Sequence, residues 1–296
     1  MFIDEAVFAQ GCSDAGFCTV GSIKHNSSIL DSTGKRSVTV FFTNGIGDLG
    51  VYVFTPGIQY DLRFKKHWAI QSKLTGNYAS GNLGSATGLG DLFLAGSYSS
   101  SSINKWKKTI TGAVKIPLSN SNLKFENKSL PMGYQSSLGT FDLIGGLTIT
   151  NNKWIFSVAI QQPLSGINLN TFLPEYWNTE EAFKYSPTNA FKRKADVLLK
   201  AGYSLNPMRN WSFNIGLLAV YHLSNDTYIN GNIQREPIPL KGSKGLTING
   251  TASAHYKINN NCTFGILAGT PLVVRDIRPD GLTRSFVISP EFNLNF

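Results

Sequence analysis

The sequence predicts an all-β fold, a closed antiparallel up-and-down β-barrel of about twelve strands that crosses a membrane. Three observations predict it. Apolar and polar residues alternate with period two in segments of about ten residues, and no helical stripe competes with them. The connections between segments alternate between tight and long, the pattern of transmembrane barrels with short turns on one side and long loops on the other. Only 15% of the 296 residues are charged, against about 25% in an ordinary soluble domain. No run approaches the roughly 18 apolar residues that a spanning helix needs.

Taken in order, the predicted strands lie near Arg36–Phe42, Val51–Phe64, His67–Ala79, Gly88–Ser99, Trp106–Leu118 and Thr140–Thr150. The second half follows near Lys153–Pro163, Lys194–Leu205, Trp211–His222, Leu246–Ile258, Thr263–Val274 and Arg284–Phe296. In the segment from Trp211, the residues Trp211, Phe213, Ile215, Leu217, Ala219 and Tyr221 share one face, with Ser212, Asn214 and Gly216 on the other. The last segment sets Phe286, Ile288, Phe292, Leu294 and Phe296 against Ser285, Ser289, Glu291 and Asn293. Tight connections fall at residues 65–66, 103–105, 151–152, 206–210 and 259–261, and long ones at 81–87, 119–139, 165–193, 223–244 and 275–283.

Tyr60, Phe64, Trp68, Trp106, Trp154, Tyr203, Trp211 and Tyr256 gather beside the tight turns. Such rings favour the membrane interface, which accommodates an apolar face and one polar group together. The opposite parity carries Lys73, Lys107, Lys115, Asp142, Lys194, Asp196, Lys200, Lys257 and Glu291, which are expected to line a wet lumen. A charge facing lipid at mid-membrane costs about 2–4 kcal/mol, too much for several together. The set has a basic excess, which favours anions.

The net charge of +9 comes from 27 Lys+Arg against 18 Asp+Glu. The lysines are scattered singly, without an Arg-rich stripe or interleaved base-stacking aromatics, so nucleic acid is not an expected partner. Basic strand ends at Lys65-Lys66, Lys107-Lys108 and Lys192–Lys194 suit lipid phosphates. No phosphate loop, nucleophile elbow or metal motif is present, and no cofactor is expected.

Residues 1–35 are expected to precede the barrel on the periplasmic side, and residues 36–296 to form it. Cys12 and Cys18, in GCSDAGFC, are spaced to close a small disulfide loop in an oxidising compartment, while Cys262 stands alone. VFAQ before GCSD looks like the tail of a secretory signal, although MFIDEAVFAQ lacks a basic start and a full apolar core.

The final residues Phe292-Asn-Leu294-Asn-Phe296 resemble the terminal β-signal of bacterial outer-membrane barrels. That resemblance implies recognition by the barrel assembly machinery, an outer-membrane location among its lipids, and periplasmic termini. Residues 44–50, NGIGDLG, and 87–96, TGLGDLFLAG, resemble the GxGD-plus-strand segments of phenol-degradation-type outer-membrane transporter-like barrels. Asp48 and Asp91 are the matching acids, and on the residues alone they read as rim-bending positions. The resemblance implies passage of small, often hydrophobic molecules. GCSDAGFC resembles mature N-termini of Bacteroidota barrels.

His222-Leu-Ser224-Asn225 resembles the H-x-S-N signature of outer-membrane lipid A deacylases, which implies His222 as base, Ser224 as nucleophile and Asn225 as oxyanion donor. Strand parity turns His222 towards the lumen, however, and the sequence does not identify an acid on a neighbouring strand to complete a triad. The expected function is a passive channel or transporter for small solutes, hydrophobic or anionic, rather than an enzyme. The alternatives are an accessory barrel docked to another envelope protein, and then the lipid hydrolase.

Overall fold

The computed structural model describes residues 36–64, 67–100, 106–231, 236–281 and 284–296. Twelve long strands form the barrel: β1 (Arg36–Gly47), β2 (Tyr52–Arg63), β3 (Trp68–Gly81), β4 (Gly84–Ser99), β5 (Lys107–Pro117), β8 (Thr140–Thr150), β9 (Trp154–Gly166), β10 (Asp196–Met208), β11 (Trp211–His222), β14 (Gly245–Lys257), β15 (Cys262–Val273) and β16 (Arg284–Asn295). Each pairs antiparallel with its chain neighbour, and β16 returns to pair with β1. A twelve-residue strand spans about 40 Å and, tilted as barrel strands are, crosses the hydrocarbon core. Closure is made by Val40 opposite Phe292 and Val38 opposite Leu294, and by reciprocal bonds of 3.1 and 3.0 Å between Arg36 and Phe296. It leaves no unpaired edge, which lipid would not tolerate.

Leu74, Leu94, Ile110, Leu143, Ile160 and Phe292 are exposed while both chain neighbours of each are buried. This inside-out alternation makes sense only if lipid wets the outer wall. Near the tight turns that wall carries a belt of paired rings. Trp68 meets Tyr98 at 5.1 Å, Trp154 meets Tyr203 at 4.8 Å, and Trp211 meets Tyr256 at 4.9 Å between centroids. Among the described residues no helix is long and apolar enough to cross a membrane.

Two predicted boundaries differ. β1 continues past Phe42 to Gly47, and only the 3-10 turn Asp48–Gly50 and Val51 separate it from β2. Residues 81–87, predicted as a long connection, are mostly strand: β3 and β4 stay paired to Gly81 opposite Gly84, leaving the two-residue turn Asn82-Leu83. The strict alternation of tight and long connections therefore fails at these two positions. Both stretches are rich in glycine and small residues, which hide the period-two signal.

The four long connections fold back over the barrel mouth as a cap. Residues 118–139 carry β6 (Lys124–Phe125), β7 (Lys128–Ser129) and the 3-10 turn Met132–Tyr134. Residues 167–195 carry the one-turn helix α1 (Pro174–Trp177), started by proline and stopped by left-handed Asn178. Residues 223–231 and 236–244 carry β12 (Thr227–Tyr228) and β13 (Ile238–Pro239). Two apolar clusters hold the cap together. In one, Leu130, Tyr134, Phe172 and Trp177 pack on Val51 and Ala79 at the barrel rim. In the other, Met132, Leu138, Phe191 and Leu240 join all the long loops but the last, with Ile277 of that loop packed against them. Residues 274–281 meet residues 118–139 backbone to backbone: a Cβ on Gly281 would fall 2.3 Å from the Gly133 Cα.

Candidate functional site

The inward positions form a lumen with three levels. Nearest the tight turns the wall is polar and half-exposed. Asn214, Ser253 and Lys257 lie there, Asn214 bonding Ser253 at 3.2 Å, while Lys200 stands higher, opposite Leu218. The His255 Nε2 stands 3.3 Å from the Glu291 Oε1. Lys107, at the start of β5, shares the inward parity and is half-buried.

At mid-height the two halves of the wall differ. Phe93, Ala95, Ala113, Ile144, Ala159, Leu198 and Leu218 form one continuous buried apolar patch across β4, β5, β8, β9, β10 and β11. Strand register builds it, since Ala95 pairs with Ala113, Ala113 with Ile144 and Ala159 with Leu198. The facing half carries Thr39, Thr55, Gln59, Lys73, Thr75, Asn249 and Asn293, all buried. Lys73 sits at the seam, its Nζ 4.8 Å from the Phe41 ring centre and 5.4 Å from that of Phe93. Phe41 lies flat there because its partner is Gly57, where any Cβ would overlap the ring.

Beneath the cap the lumen is crossed by buried ion pairs. Lys115 Nζ lies 3.0 Å from Asp142 Oδ2 and donates to Thr140 Oγ1 at 3.1 Å, and Gln161 donates to Asp142. His222 presents Nδ1 to Asp196 at 2.6 Å and Nε2 to Asp226 at 2.9 Å. Arg193 pairs with Asp196 and, through Nε at 3.4 Å, with Asp280, which also pairs with Arg275. Arg275 Nη1 donates to the Ser243 carbonyl at 2.8 Å. With His222 as imidazolium, donating from both nitrogens, three cations balance three carboxylates. The network joins β10 and β11 to three of the long loops.

Two cap carboxyls are shifted in opposite directions. Burial alone would push Asp280 up, but Arg275 and Arg193, with His222 behind them, hold it well below the usual carboxylate range. For Asp48, burial pushes the carboxyl up by more than Arg278, at 2.9 and 3.1 Å, draws it back. Asp280 thus stabilises the closed cap above the ordinary carboxylate range and loses this only as pH falls far below it. Asp48 favours its neutral form, so its contribution is complete at low pH and declines as pH rises through its raised value. Neither group opens the cap on mild acidification. Protease resistance of the cap is expected not to fall from about pH 8 to about pH 5; cleavage appearing at pH 5 would contradict this.

The other sequence candidates fall as follows. Asp142, Asp196, Lys115 and Lys73 are inward and buried. Lys194 precedes β10 with a half-buried side chain, and its neighbour Arg193 takes the buried place instead. Asp91 is not at the rim. It sits within β4 at a bulge opposite Thr75, whose hydroxyl accepts from the Asp91 N–H at 3.0 Å, while Ser137 of the cap donates to the Asp91 carboxylate at 2.6 Å. Asp48 does lie at the rim. Asp196 on the neighbouring strand is the acid the sequence did not identify beside His222, but with Asp226 on its other nitrogen His222 has none left for Ser224, which is exposed, and Asn225 accepts from the Lys244 N–H at 2.9 Å. Phe292, Leu294 and Phe296 point outward at the closing seam. Cys12 and Cys18 lie outside the described residues, and Cys262 is a free thiol. Among the described residues no group of three or more His, Cys, Asp or Glu could hold a metal ion. The sequence reading missed Arg193, Asp226, Arg275 and Asp280; the available signal was the presence of Phe172, Trp177 and Phe191 in loops that should be polar.

The fold and its lipid-facing wall define a twelve-stranded transmembrane barrel of the kind found in bacterial outer membranes. Among solved structures it is similar to an outer membrane channel from Pseudomonas putida F1, with a TM-score of 0.58 and 12% identity over 90% of this chain and 96% of that one. The KdgM porin in complex with disordered oligogalacturonate reaches a TM-score of 0.47 at 8% identity, covering 88% of this chain and 99% of that one. The NanC porin reaches 0.46 at 9%, covering 88% and 98%. At these identities the likeness is one of fold. No protein-family model matches the chain, and no curated protein matches it.

Proposed function

We propose that this protein is a passive outer-membrane channel for small amphipathic solutes, with an apolar body and a negative charge. One observation carries the reading: the mid-lumen wall is apolar on one half and polar on the other, with Lys73 at the seam. A solute can slide with its body on the apolar half while its charge stays hydrated or pairs with lysine. Lys107, Lys115, Lys200 and Lys257 give the path its basic excess, against Asp142, Asp196 and Glu291. The tight-turn end faces the periplasm, as in barrels of this architecture, and the cap faces outward among the lipids of the outer leaflet. Similar solved structures are described as outer membrane channels and porins, which agrees with this reading and with a non-enzymatic role, as does the double engagement of His222. The GxGD segments further support a relationship to the phenol-degradation-type barrels, GCSDAGFC a Bacteroidota source, and Phe292, Leu294 and Phe296 recognition by the barrel assembly machinery.

The lysines provide the test. Changing Lys73 and Lys200 together to Glu is expected to move the reversal potential in a salt gradient towards cation preference, without unfolding the barrel. An unchanged potential in a conducting channel would contradict the reading.

A further inference from the structure

We propose that Arg193 and Arg275 form a binding site for a small organic carboxylate, occupied in the closed cap by the chain's own Asp280, and that exchange of the two opens the cap. The opening half of this proposal rests on the channel reading above.

The site is built for a planar anion. Two guanidinium groups converge on one carboxylate, Arg193 through Nε at 3.4 Å and Arg275 through Nη2. Guanidinium forks match carboxylates two bonds at a time. Both side chains are more than nine-tenths buried, yet Arg193 Nη1 and Arg275 Nε have no hydrogen-bond partner. Buried donors left in this state are costly, and together they are more than the single Asp280 side chain fills. Arg193 Nε and Arg275 Nη2 both reach the same Asp280 oxygen, Oδ2, whereas a carboxylate not tethered to the loop can turn one oxygen to each guanidinium.

Both arginines are also held by groups other than Asp280, so its displacement leaves them in place. Arg193 is tied to Asp196 at the head of β10, and Arg275, two residues after β15, is tied to the Ser243 carbonyl. Asp280 is carried near the far end of residues 274–281, next to Gly281, the residue that touches Gly133 across the mouth. Withdrawing Asp280 therefore draws Gly281 away from Gly133, and the last long loop parts from the first.

Charge selects the ligand. His222, Arg193 and Arg275 face Asp196, Asp226 and Asp280. A carboxylate that replaces Asp280 keeps this balance, whereas a neutral molecule of the same shape leaves the buried network one negative charge short. The same anion class suits the amphipathic lumen below, so the solute itself is the opening signal.

The experiment uses the full chain, with benzoate as probe and benzyl alcohol as its neutral counterpart, each added on the cap side. Two readouts run in parallel: open probability in planar bilayers, and protease cleavage of residues 118–281 in detergent. Benzoate is expected to raise both severalfold in the wild type and benzyl alcohol neither. Arg275→Met should lose the response, and Asp280→Asn should be cleaved and conduct more without any probe. Equal effects of the two probes, no effect of benzoate on cleavage, or an Arg275→Met response like wild type would overturn the proposal. Steady conductance with cleavage indifferent to benzoate leaves the channel reading and removes this site. Cleavage that depends on benzoate and Arg275 without any conductance does the reverse. Should either variant fail to fold, the wild-type comparison of the two probes decides alone.

Discussion

Gly281→Val should hold the cap open. Gly281 has φ +67, a conformation that a β-branched residue adopts only under strain, and its new Cβ would fall 2.3 Å from Gly133 Cα and 2.4 Å from Gly133 N. Backbone cannot yield as a flexible side chain does, so the two loops must separate. The expected result is rapid protease cleavage within residues 118–281 and a severalfold larger conductance, from a barrel that still shifts its migration on heating. Gly133→Ala is the control, because a Cβ there meets nothing nearer than 3.9 Å. Equal protease resistance in wild type and Gly281→Val would show that the contact does not close the mouth.

Leu217→Lys should weaken folding into lipid by about 2–4 kcal/mol, the cost of a lysine facing hydrocarbon at the midplane. Leu217 is exposed on the outer wall near the middle of β11. Its neighbour Leu218 points inward, opposite Lys200 of β10, so the chain already carries a cation at that depth on the other face. Urea titration of folding into lipid vesicles measures the difference. A Leu217→Lys barrel as stable as wild type would reverse the inward and outward assignment of every strand, because parity is shared along the ladder.

Parity is also what made the barrel legible. In β11 and β16 every second residue over most of the strand is apolar and nearly all are large, and the predicted span of β11 coincides with the observed one. Where side chains shrink the signal disappears. Residues 43–47 and 81–87 are dominated by Gly, Ser, Thr, Ala and Asn, so strand backbone there looks like loop. The lumen lysines were visible because strand parity needs only local sequence, as at Lys73 and Lys115. Lys194 shows the limit: outside a strand, parity carries no information, and the chain turned Arg193 inward instead.

The cap was hidden for a different reason. Its ionic network joins residues 193, 196, 222, 226, 275 and 280, brought together by closure of a barrel rather than by any local pattern. Arg193, Asp226, Arg275 and Asp280 read singly as solvated loop residues, while Asp196 and His222 read as lumen-facing without their partners. Only the apolar Tyr134, Phe172, Trp177 and Phe191 in the same loops signal that these segments bury a core of their own.

Single-channel recording of wild type beside Gly281→Val, both inserted in planar bilayers, tests the central claim that a solute path runs through the lumen and is closed by the cap. The account predicts brief or small openings in the wild type, and steady, larger, weakly anion-preferring conductance in the variant. No conductance from either protein, with both demonstrably folded and inserted, would contradict it.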